Sequence, residues 1–443
     1  MKVFNELGLL VESLWRERNY SEAEFPEIAG QSLAEIDLAK RGVTPWEIIG
    51  WLHTESQLPR QQDVDAKFGN PPITLFCGSR FYVDIYFWLD GTTDIHQHGF
   101  AGAFQVLAGS SIHSRYSFQQ ERAINEYFLL GRVNLDDVEL LGEGDIRRII
   151  PGRDHIHSLF HLDRPSCTIT VRTFTVSSRQ PQYSYRKPYF AIDPFFKEQS
   201  LVKKLQSVAM LLNLQQTDHD ELIGDLVSMS DFQTTFLILQ TAFKMLGSNQ
   251  MESFFQLSTS RDRFDKLLKR ARQKHGHLID YVLTVLAEES RQEDIVRRRQ
   301  FITSNEHRFF LALLLNISSS QKIFELVKAR FPENNPLDKV LDWVMELSTT
   351  KVWGSTETNV LGLKDFDDDY LFVLQCLLEN LSAQQIKHAL AKEYPADYAA
   401  KLESRFETIA AALRNSIPFR AMLADSDAPI WPVADISKPA NVV

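Results

Sequence analysis

The chain has 443 residues, of which 44% are hydrophobic and 24% are charged, and its formal net charge is −10 at pH 7. This composition is typical of a soluble globular protein of two or three domains and excludes a disordered chain as the default. The negative charge argues against nonspecific binding to nucleic acid. Because there is neither a leader pattern nor a run of about eighteen uncharged apolar residues, we expect a cytoplasmic protein that does not interact with a membrane.

Residues 1–70 are predicted to form helices that pack on the rest of the fold. In LGLLVESLW and WEIIGWLH, apolar residues recur at intervals of three and four, which is the spacing of one helix face. Thr44 followed by Pro45 is typical of a helix N-cap and of the first helical position.

Residues 71–190 show a different pattern, with short runs of aromatic and β-branched residues separated by Gly, Pro and Asp. So many short strands in little more than about one hundred residues predict an antiparallel sandwich or barrel. The predicted strands include ITLFC, FYVDIYFW, FQVLAG, SIHSRYSF, EYFLLGRV and CTITVRTFTV.

Residues 195–430 return to helical periodicity, and segments such as SLVKKLQSVAMLLNL and DYLFVLQCLLENL carry an apolar stripe on one face. We find no Gly-rich phosphate loop, nucleophile motif or metal-ligand spacing in this half. It could cover the barrel, form a homodimer or bind a partner protein. The predicted fold class is therefore α+β with several domains: N-terminal helices, an antiparallel β-barrel and a C-terminal all-α domain of unknown role.

Six of the twelve histidines lie between positions 96 and 161, inside the predicted barrel. His96 and His98 are two residues apart, so on a strand both side chains would point to the same face and could bind one metal ion. This pair alone also fits a solvated strand with alternating polar residues. A second block, GDIRRIIPGRDHIH, follows at positions 144–157 and brings two more histidines after a Pro-Gly pair.

The two blocks together resemble the two-part metal-binding signature of cupins. The resemblance implies a cupin-type barrel in which His96, His98 and a later histidine hold a divalent transition metal. His155 has the general cupin spacing from the Pro-Gly pair, whereas His157 opens HSLFH, which is similar to the metal-binding H-x-x-x-N block with His161 in place of Asn. We favour His157 as the third ligand, keep His155 as the alternative, and expect His161 beside the ligands rather than on the ion.

Residues 40–176 also resemble cysteine dioxygenase and related thiol dioxygenases. Their metal-binding region has the form F-x-x-x-I-x-x-W-x-x-G followed by I-H-x-H, and Phe81, Ile85, Trp88 and Ile95 stand in nearly that arrangement before His96. The resemblance implies Fe(II) as the metal and dioxygen as a co-substrate. Zn, Ni, Mn and Cu fit the same ligands, since ligand type alone does not fix the metal.

The chain departs from this family at the positions that recognise the substrate. The family's active-site cysteine, and the Glu that many cupins add to the histidines, would fall on Gly102 or Ala103. The arginine that binds the substrate carboxylate would fall near Ile73 or Thr74. Three neutral imidazoles leave the full charge of a divalent ion in place and favour anionic substrates. We therefore expect a small anionic substrate, with thiols among the candidates, rather than cysteine itself.

Arg172 and Tyr86 are the candidate catalytic residues beyond the ligands. Arg172 lies in the apolar strand TITVRTF, where a guanidinium needs an anionic partner. It would either clamp a substrate carboxylate or form a structural ion pair with Asp84. Tyr82 and Tyr86 share a strand face with Asp84, and they either line the cavity or serve packing. His113, in SIHSRYSF, is expected on an outer strand.

The leading hypothesis for function is a non-haem iron oxygenase that acts on a small anionic molecule. One alternative is a noncatalytic cupin that senses a metal or metabolite and signals through the helical domain. The other is a metal-assisted isomerase or lyase, which would work without oxygen.

Overall fold

The computed structural model describes residues 1–65, 69–89, 91–92, 94–174, 181–214, 219–247, 259–352 and 358–423. Within these residues the chain runs through N-terminal helices, a block of β-strands and a long helical half. This is the α+β class that the residue patterns predict.

The N-terminal helices are α1 (Lys2–Glu17), α2 (Phe25–Ile36) and α3 (Pro45–Thr54). The start of α3 is a capping box, in which the Thr44 side chain accepts the Glu47 N–H and the Glu47 carboxylate accepts the Thr44 N–H. These two bonds satisfy donors that a helix start leaves open. The predicted cap and the proline at the first helical position are confirmed.

The strands between residues 72 and 192 form two antiparallel sheets that enclose a common interior. The bounds are β1 Pro72–Cys77, β2 Phe81–Trp88, β3 Gly91–Thr92, β4 Ile95–His96, β5 Gly102–Ala108, β6 Ser111–Asn125, β7 Phe128–Leu141, β8 Ile146–Ile149, β9 Ile156–His161, β10 Ser166–Thr173, β11 Ser184–Arg186 and β12 Phe190–Ile192. The first sheet has the order β1-β2-β10-β5-β8. The second has the order β3-β9-β4-β11-β12-β7-β6, with a further pairing of β9 with β6. Two facing antiparallel sheets of this kind are the cupin-type barrel.

Apolar and polar side chains alternate along the strands of the first sheet, so its outer face is apolar and its inner face is polar. On β2, Val83 and Ile85 pack in one core with the N-terminal helices. Asp84 and Tyr86 therefore point inward, and the register continues this inner face across β10, where Arg172 pairs with Tyr82. The first sheet thus presents polar and aromatic side chains to the barrel interior.

The helical half packs on the outside of the second sheet. Phe128 and Phe190 of that sheet share an apolar core with the first helices of this half, and Ile112 and Phe160 share another with the later ones. Among the described helices, none has both the length and the apolar composition that a bilayer crossing requires. The domain limits drawn from the sequence stay a prediction. The helices are α4 Gln199–Asn213, α5 Asp220–Met229, α6 Phe232–Gly247, α7 Thr259–His275, α8 Leu278–Gln300, α9 Asn305–Asn316, α10 Ser320–Arg330, α11 Pro336–Ser348, α12 Asp368–Leu378, α13 Ala383–Glu393 and α14 Ala396–Asn415.

Candidate metal centre

Three imidazoles from two separate parts of the chain meet inside the barrel. His96 ends β4 and lies opposite His157 in the pairing of β4 with β9. His98 follows two residues later, where the chain forms a bridge with Pro151. One ring nitrogen from each of His96, His98 and His157 lies within 4.8 Å of the other two. The structure therefore brings together the three histidines that the sequence favours as ligands.

The spacing of these nitrogens suits a single cation. The Nε2 atoms of His98 and His157 are 2.8 Å apart, close to the separation of about 3 Å for two nitrogens that bind one ion at about 2.1 Å and at right angles. The Nδ1 atom of His96 lies 2.7 Å from the Asp94 carbonyl oxygen. Because a carbonyl can only accept, Nδ1 carries the proton, and Nε2 of His96 keeps its lone pair for a metal.

Burial keeps all three imidazoles in the form that binds metals. Loss of water lowers the pKa of His96, and it lowers the pKa values of His98 and His157 well below the usual value. The neighbouring imidazoles lower the pKa values of His98 and His157 further, since adjacent positive charges would repel. Neutral rings offer a lone pair at neutral pH, so this donor set fits a divalent transition metal.

His155 lies beside this group but not within it. Its ring centroid is 4.6 Å from that of His157, and it belongs to a second group of three histidines, formed by His113, His155 and His157. Its Nε2 is buried without a hydrogen-bond partner among the described residues. The arrangement favours His157 over His155 as the third ligand beside His96 and His98.

His113, which the sequence places on an outer strand, is buried beside the candidate ligands. It is 1% exposed, and its Nε2 lies 3.0 Å from Nδ1 of His157. The alternating residues of SIHSRYSF indicate which side chains share a strand face. They do not indicate which other strands this strand pairs with. The pairing of β6 with β9 places His113 opposite Leu159, one position along the same inner face from His157.

Glu139 is a further residue of the site that sequence reasoning missed. It lies opposite His113 in the pairing of β6 with β7, and its Oε1 is 2.9 Å from His113 Nδ1. Arg147 donates to both carboxylate oxygens of Glu139, at 2.9 and 2.6 Å. The hydrogen bonds from Arg147 and then His113 hold the pKa of the Glu139 carboxyl below its usual range. Glu139 is therefore ionised at neutral pH.

Neither Gly102 nor Ala103, the positions at which the resemblance to cupins and thiol dioxygenases would place Glu or Cys, can supply a fourth ligand. A Cβ atom at Gly102 would lie 2.2 Å from the Val171 carbonyl oxygen, far inside van der Waals contact. Ala103 packs in the outer core beneath the N-terminal helices. The candidate ligand set in this barrel consequently has no negative charge of its own.

Arg172 reaches the interior close to the histidines. Its guanidinium carbon lies 3.5 Å from the ring centroid of Phe100 and 5.2 Å from that of Tyr82. The Phe100 ring is in turn 4.5 Å from the ring of His98. The Arg172 Nε is buried without a hydrogen-bond partner among the described residues. The guanidinium is thus held by aromatic faces and keeps donor capacity for an anion.

The alternative ion pair between Arg172 and Asp84 is not formed, since no carboxylate of the described residues makes a salt bridge with Arg172 within 4.0 Å. Asp84 instead accepts a hydrogen bond of 3.2 Å from the Tyr86 hydroxyl. Burial raises the pKa of Asp84 to about 6. Tyr86 contacts Asp84 rather than the histidines, and its catalytic role stays a prediction.

His161 occupies a separate part of the interior. Its ring stacks on Trp88 with the centroids 4.5 Å apart, and its Nδ1 lies 3.0 Å from the Ser111 hydroxyl. Its Nε2 is buried without a partner among the described residues, and burial lowers the pKa of His161 to about 3. His161 belongs to neither three-histidine group, so we find no direct contact through which it would orient a ligand.

The fold and the site define a cupin-type barrel with a three-histidine group suited to a divalent metal. No protein-family model matches the chain, and no curated protein matches it in sequence.

Several solved structures share local similarity with the chain. An uncharacterized protein with a double-stranded β-helix domain from Klebsiella pneumoniae is 16% identical over 30% of this chain and 96% of its own, with a TM-score of 0.18. A DMSP lyase from Ruegeria pomeroyi is 18% identical over 26% of this chain and 51% of its own, with a TM-score of 0.18. A hydroquinone 1,2-dioxygenase from Sphingomonas is 9% identical over 24% of this chain and 66% of its own, with a TM-score of 0.19. At these TM-scores the similarity carries no argument about function.

Proposed function

We propose that this protein is a metal-dependent cupin enzyme, and specifically a non-haem iron oxygenase that acts on a small anionic substrate. The observation that carries the proposal is the convergence of His96, His98 and His157 on one point of the barrel interior. Arg172 lies close by and forms no salt bridge with a carboxylate among the described residues. Neutral ligands and a nearby guanidinium make this interior attractive to an anion. Thiols are included among the candidate substrates because of the resemblance to thiol dioxygenases.

Each residue has a distinct task in this proposal. His96, His98 and His157 would hold the ion, which supplies Lewis acidity and open positions for a substrate and dioxygen. Arg172 binds and orients a carboxylate of the substrate through paired N–H donors. Phe100 and Tyr82 keep the guanidinium in place and exclude water around it. This division separates binding of the metal from binding of the substrate.

The oxygenase and the two competing functions differ in what they require. An oxygenase consumes dioxygen in step with substrate. A metal-assisted isomerase or lyase turns its substrate over in the absence of oxygen. A sensor binds a metal or a metabolite without turnover and changes the environment of the helical half.

Metal analysis followed by oxygen-uptake measurements tests the proposal. Purified full-length protein, loaded anaerobically with Fe(II), is expected to hold about one ion per chain and to consume oxygen with members of a panel of small thiols and carboxylates. The His96→Ala variant is the control and is expected to lose both the ion and the oxygen uptake. Anaerobic turnover would support an isomerase or lyase, whereas binding without turnover would support a sensor. Failure to retain any of Fe, Zn, Ni, Mn or Cu would overturn the metal site itself.

A further inference from the structure

A continuous series of hydrogen-bond contacts leads from the barrel surface to the candidate ligand His157. Arg147 binds the Glu139 carboxylate through two donors. Glu139 Oε1 lies 2.9 Å from His113 Nδ1, and His113 Nε2 lies 3.0 Å from His157 Nδ1. His113 is 1% exposed and His157 is 2% exposed, so water does not compete for the contact between these two imidazoles.

The direction of each hydrogen bond in this series follows from the carboxylate at one end and the candidate ligand at the other. A carboxylate only accepts, so His113 Nδ1 carries a proton. At the other end, His157 would bind the ion through Nε2, so the one proton of its ring lies at Nδ1 and is donated to His113 Nε2. This leaves the lone pair of His157 on Nε2, the atom that lies 2.8 Å from His98 Nε2. The tautomer of His157 is thereby the one that binds an ion beside His98.

We propose that Glu139 and His113 are positioning residues, which fix the tautomer and the ring orientation of His157 so that its Nε2 faces the metal site. This inference rests on the metal site of the proposed function. A ligand histidine commonly donates its second N–H to a carboxylate or carbonyl. Here the His113 imidazole lies between His157 and the Glu139 carboxylate, and Arg147 binds that carboxylate from its other side.

A second cation between His113, His155 and His157 is the competing interpretation of the same atoms, which lie within 4.8 Å of one another. A cation there would need a lone pair on His157 Nδ1 while His157 Nε2 binds the first ion. His157 would then have to lose both ring protons and bridge two ions. The series of hydrogen bonds needs no such doubly deprotonated ring, so it is favoured over a second cation.

Metal-binding measurements on the full-length protein test the inference, with Co²⁺ and Zn²⁺ as probes. Wild-type protein is expected to bind one ion, and His113→Leu is expected to bind it about 10- to 100-fold more weakly, the usual effect of losing such a partner. Glu139→Gln, at a side chain that is 32% exposed, should weaken binding in the same direction with little risk to folding. Ser114→Ala is the matched control, because this neighbouring buried hydroxyl has no hydrogen-bond partner among the described residues.

Proton NMR of the Co²⁺ form supplies a readout that a purely structural role would not change. Wild-type protein and Ser114→Ala should show a shifted, slowly exchanging N–H signal from His157, and His113→Leu should lose it while its thermal midpoint shows that it is folded. Equal Co²⁺ affinity in wild type, His113→Leu and Glu139→Gln would overturn the inference. So would two ions per wild-type chain and one in His113→Leu, which would establish the second cation. No ion in wild-type protein would instead refute the proposed function.

Discussion

The Nε2 atoms of His98 and His157 lie 2.8 Å apart, although 59 positions separate the two residues in the chain. The contact depends on the pairing of β4 with β9 and on the bridge between His98 and Pro151. Two buried lone pairs at this distance repel each other unless a proton or a cation lies between them. Substitutions of His98 or His157 should therefore have the largest effect on metal binding.

The two candidates for the third ligand should differ sharply on substitution. His157→Ala is expected to weaken binding of Fe(II) or Zn²⁺ by more than about 100-fold, beyond the range for a partner that only orients a ligand. His155→Ala is the control and should keep the ion, because His155 lies outside the group of His96, His98 and His157. Metal content after dialysis against a buffered metal concentration measures both. Loss of the ion in His155→Ala with retention in His157→Ala would contradict the assignment.

Arg172 should contribute to binding of the anionic substrate rather than to metal loading. Arg172→Met is expected to weaken binding of carboxylate ligands by about 10- to 100-fold, since a hydrogen bond to a charged group contributes about 1.5–3 kcal/mol. Arg172→Lys should restore only part of this affinity, because it lacks the planar fork. Calorimetric titration of the Zn²⁺ form with a carboxylate panel measures the effect. Arg148→Met serves as the control, since Arg148 is exposed and pairs with Glu27, and an equal loss there would argue against a specific clamp.

Asp84 should make the protein less stable as the pH rises. Burial raises its pKa from 3.8 to about 6, so the folded state holds the proton more tightly than the unfolded state. The stability that this proton confers is present below pH 3.8 and is lost as the pH passes about 6. Two pKa units correspond to about 3 kcal/mol.

Asp84→Asn removes this dependence, and the variant should therefore gain stability over wild type as the pH rises from about 4 to 7. Urea unfolding at several pH values measures the difference between the two free energies of unfolding. The exposed Asp65 provides the control variant Asp65→Asn. A difference between Asp84→Asn and wild type that stays constant across this range would show that the Asp84 carboxyl does not titrate in this way.

His161 should limit stability in acid without affecting the metal. Burial lowers its pKa from 6.5 to about 3, so the stability that its neutral form confers is present above pH 6.5 and is lost as the pH falls towards 3. His161→Phe keeps the stacking on Trp88 and removes the ionisable group. Protonation of His161 over that pH range lowers the free energy of unfolding by up to about 5 kcal/mol. Acid unfolding curves should show a relative gain for the variant at low pH, with metal affinity within about twofold of wild type. The exposed His388 gives the comparison variant His388→Gln, and a large drop in metal affinity in His161→Phe would instead give His161 a role at the ligands.

The amino-acid sequence by itself determined the order of the elements and the first half of the metal group. A period of two in FYVDIYFW and CTITVRT produces strands with one apolar face, and the same period places His96 and His98 together. The cap at Thr44 is equally local, because it depends on residues three positions apart. Local patterns of this kind can be recognised before any tertiary contact is known.

Only the tertiary structure decided which distant residues meet the first two histidines. Strand pairing places His157 beside His96 and His98, and it brings His113 into contact with His157 and Glu139 into contact with His113. It places His161 against Trp88, away from this group. Packing also decided that Arg172 rests on Phe100 and forms no ion pair with Asp84. Sheet order and register are set by the burial of whole faces across many residues. For that reason no short motif in the chain indicates which distant residues meet at the site.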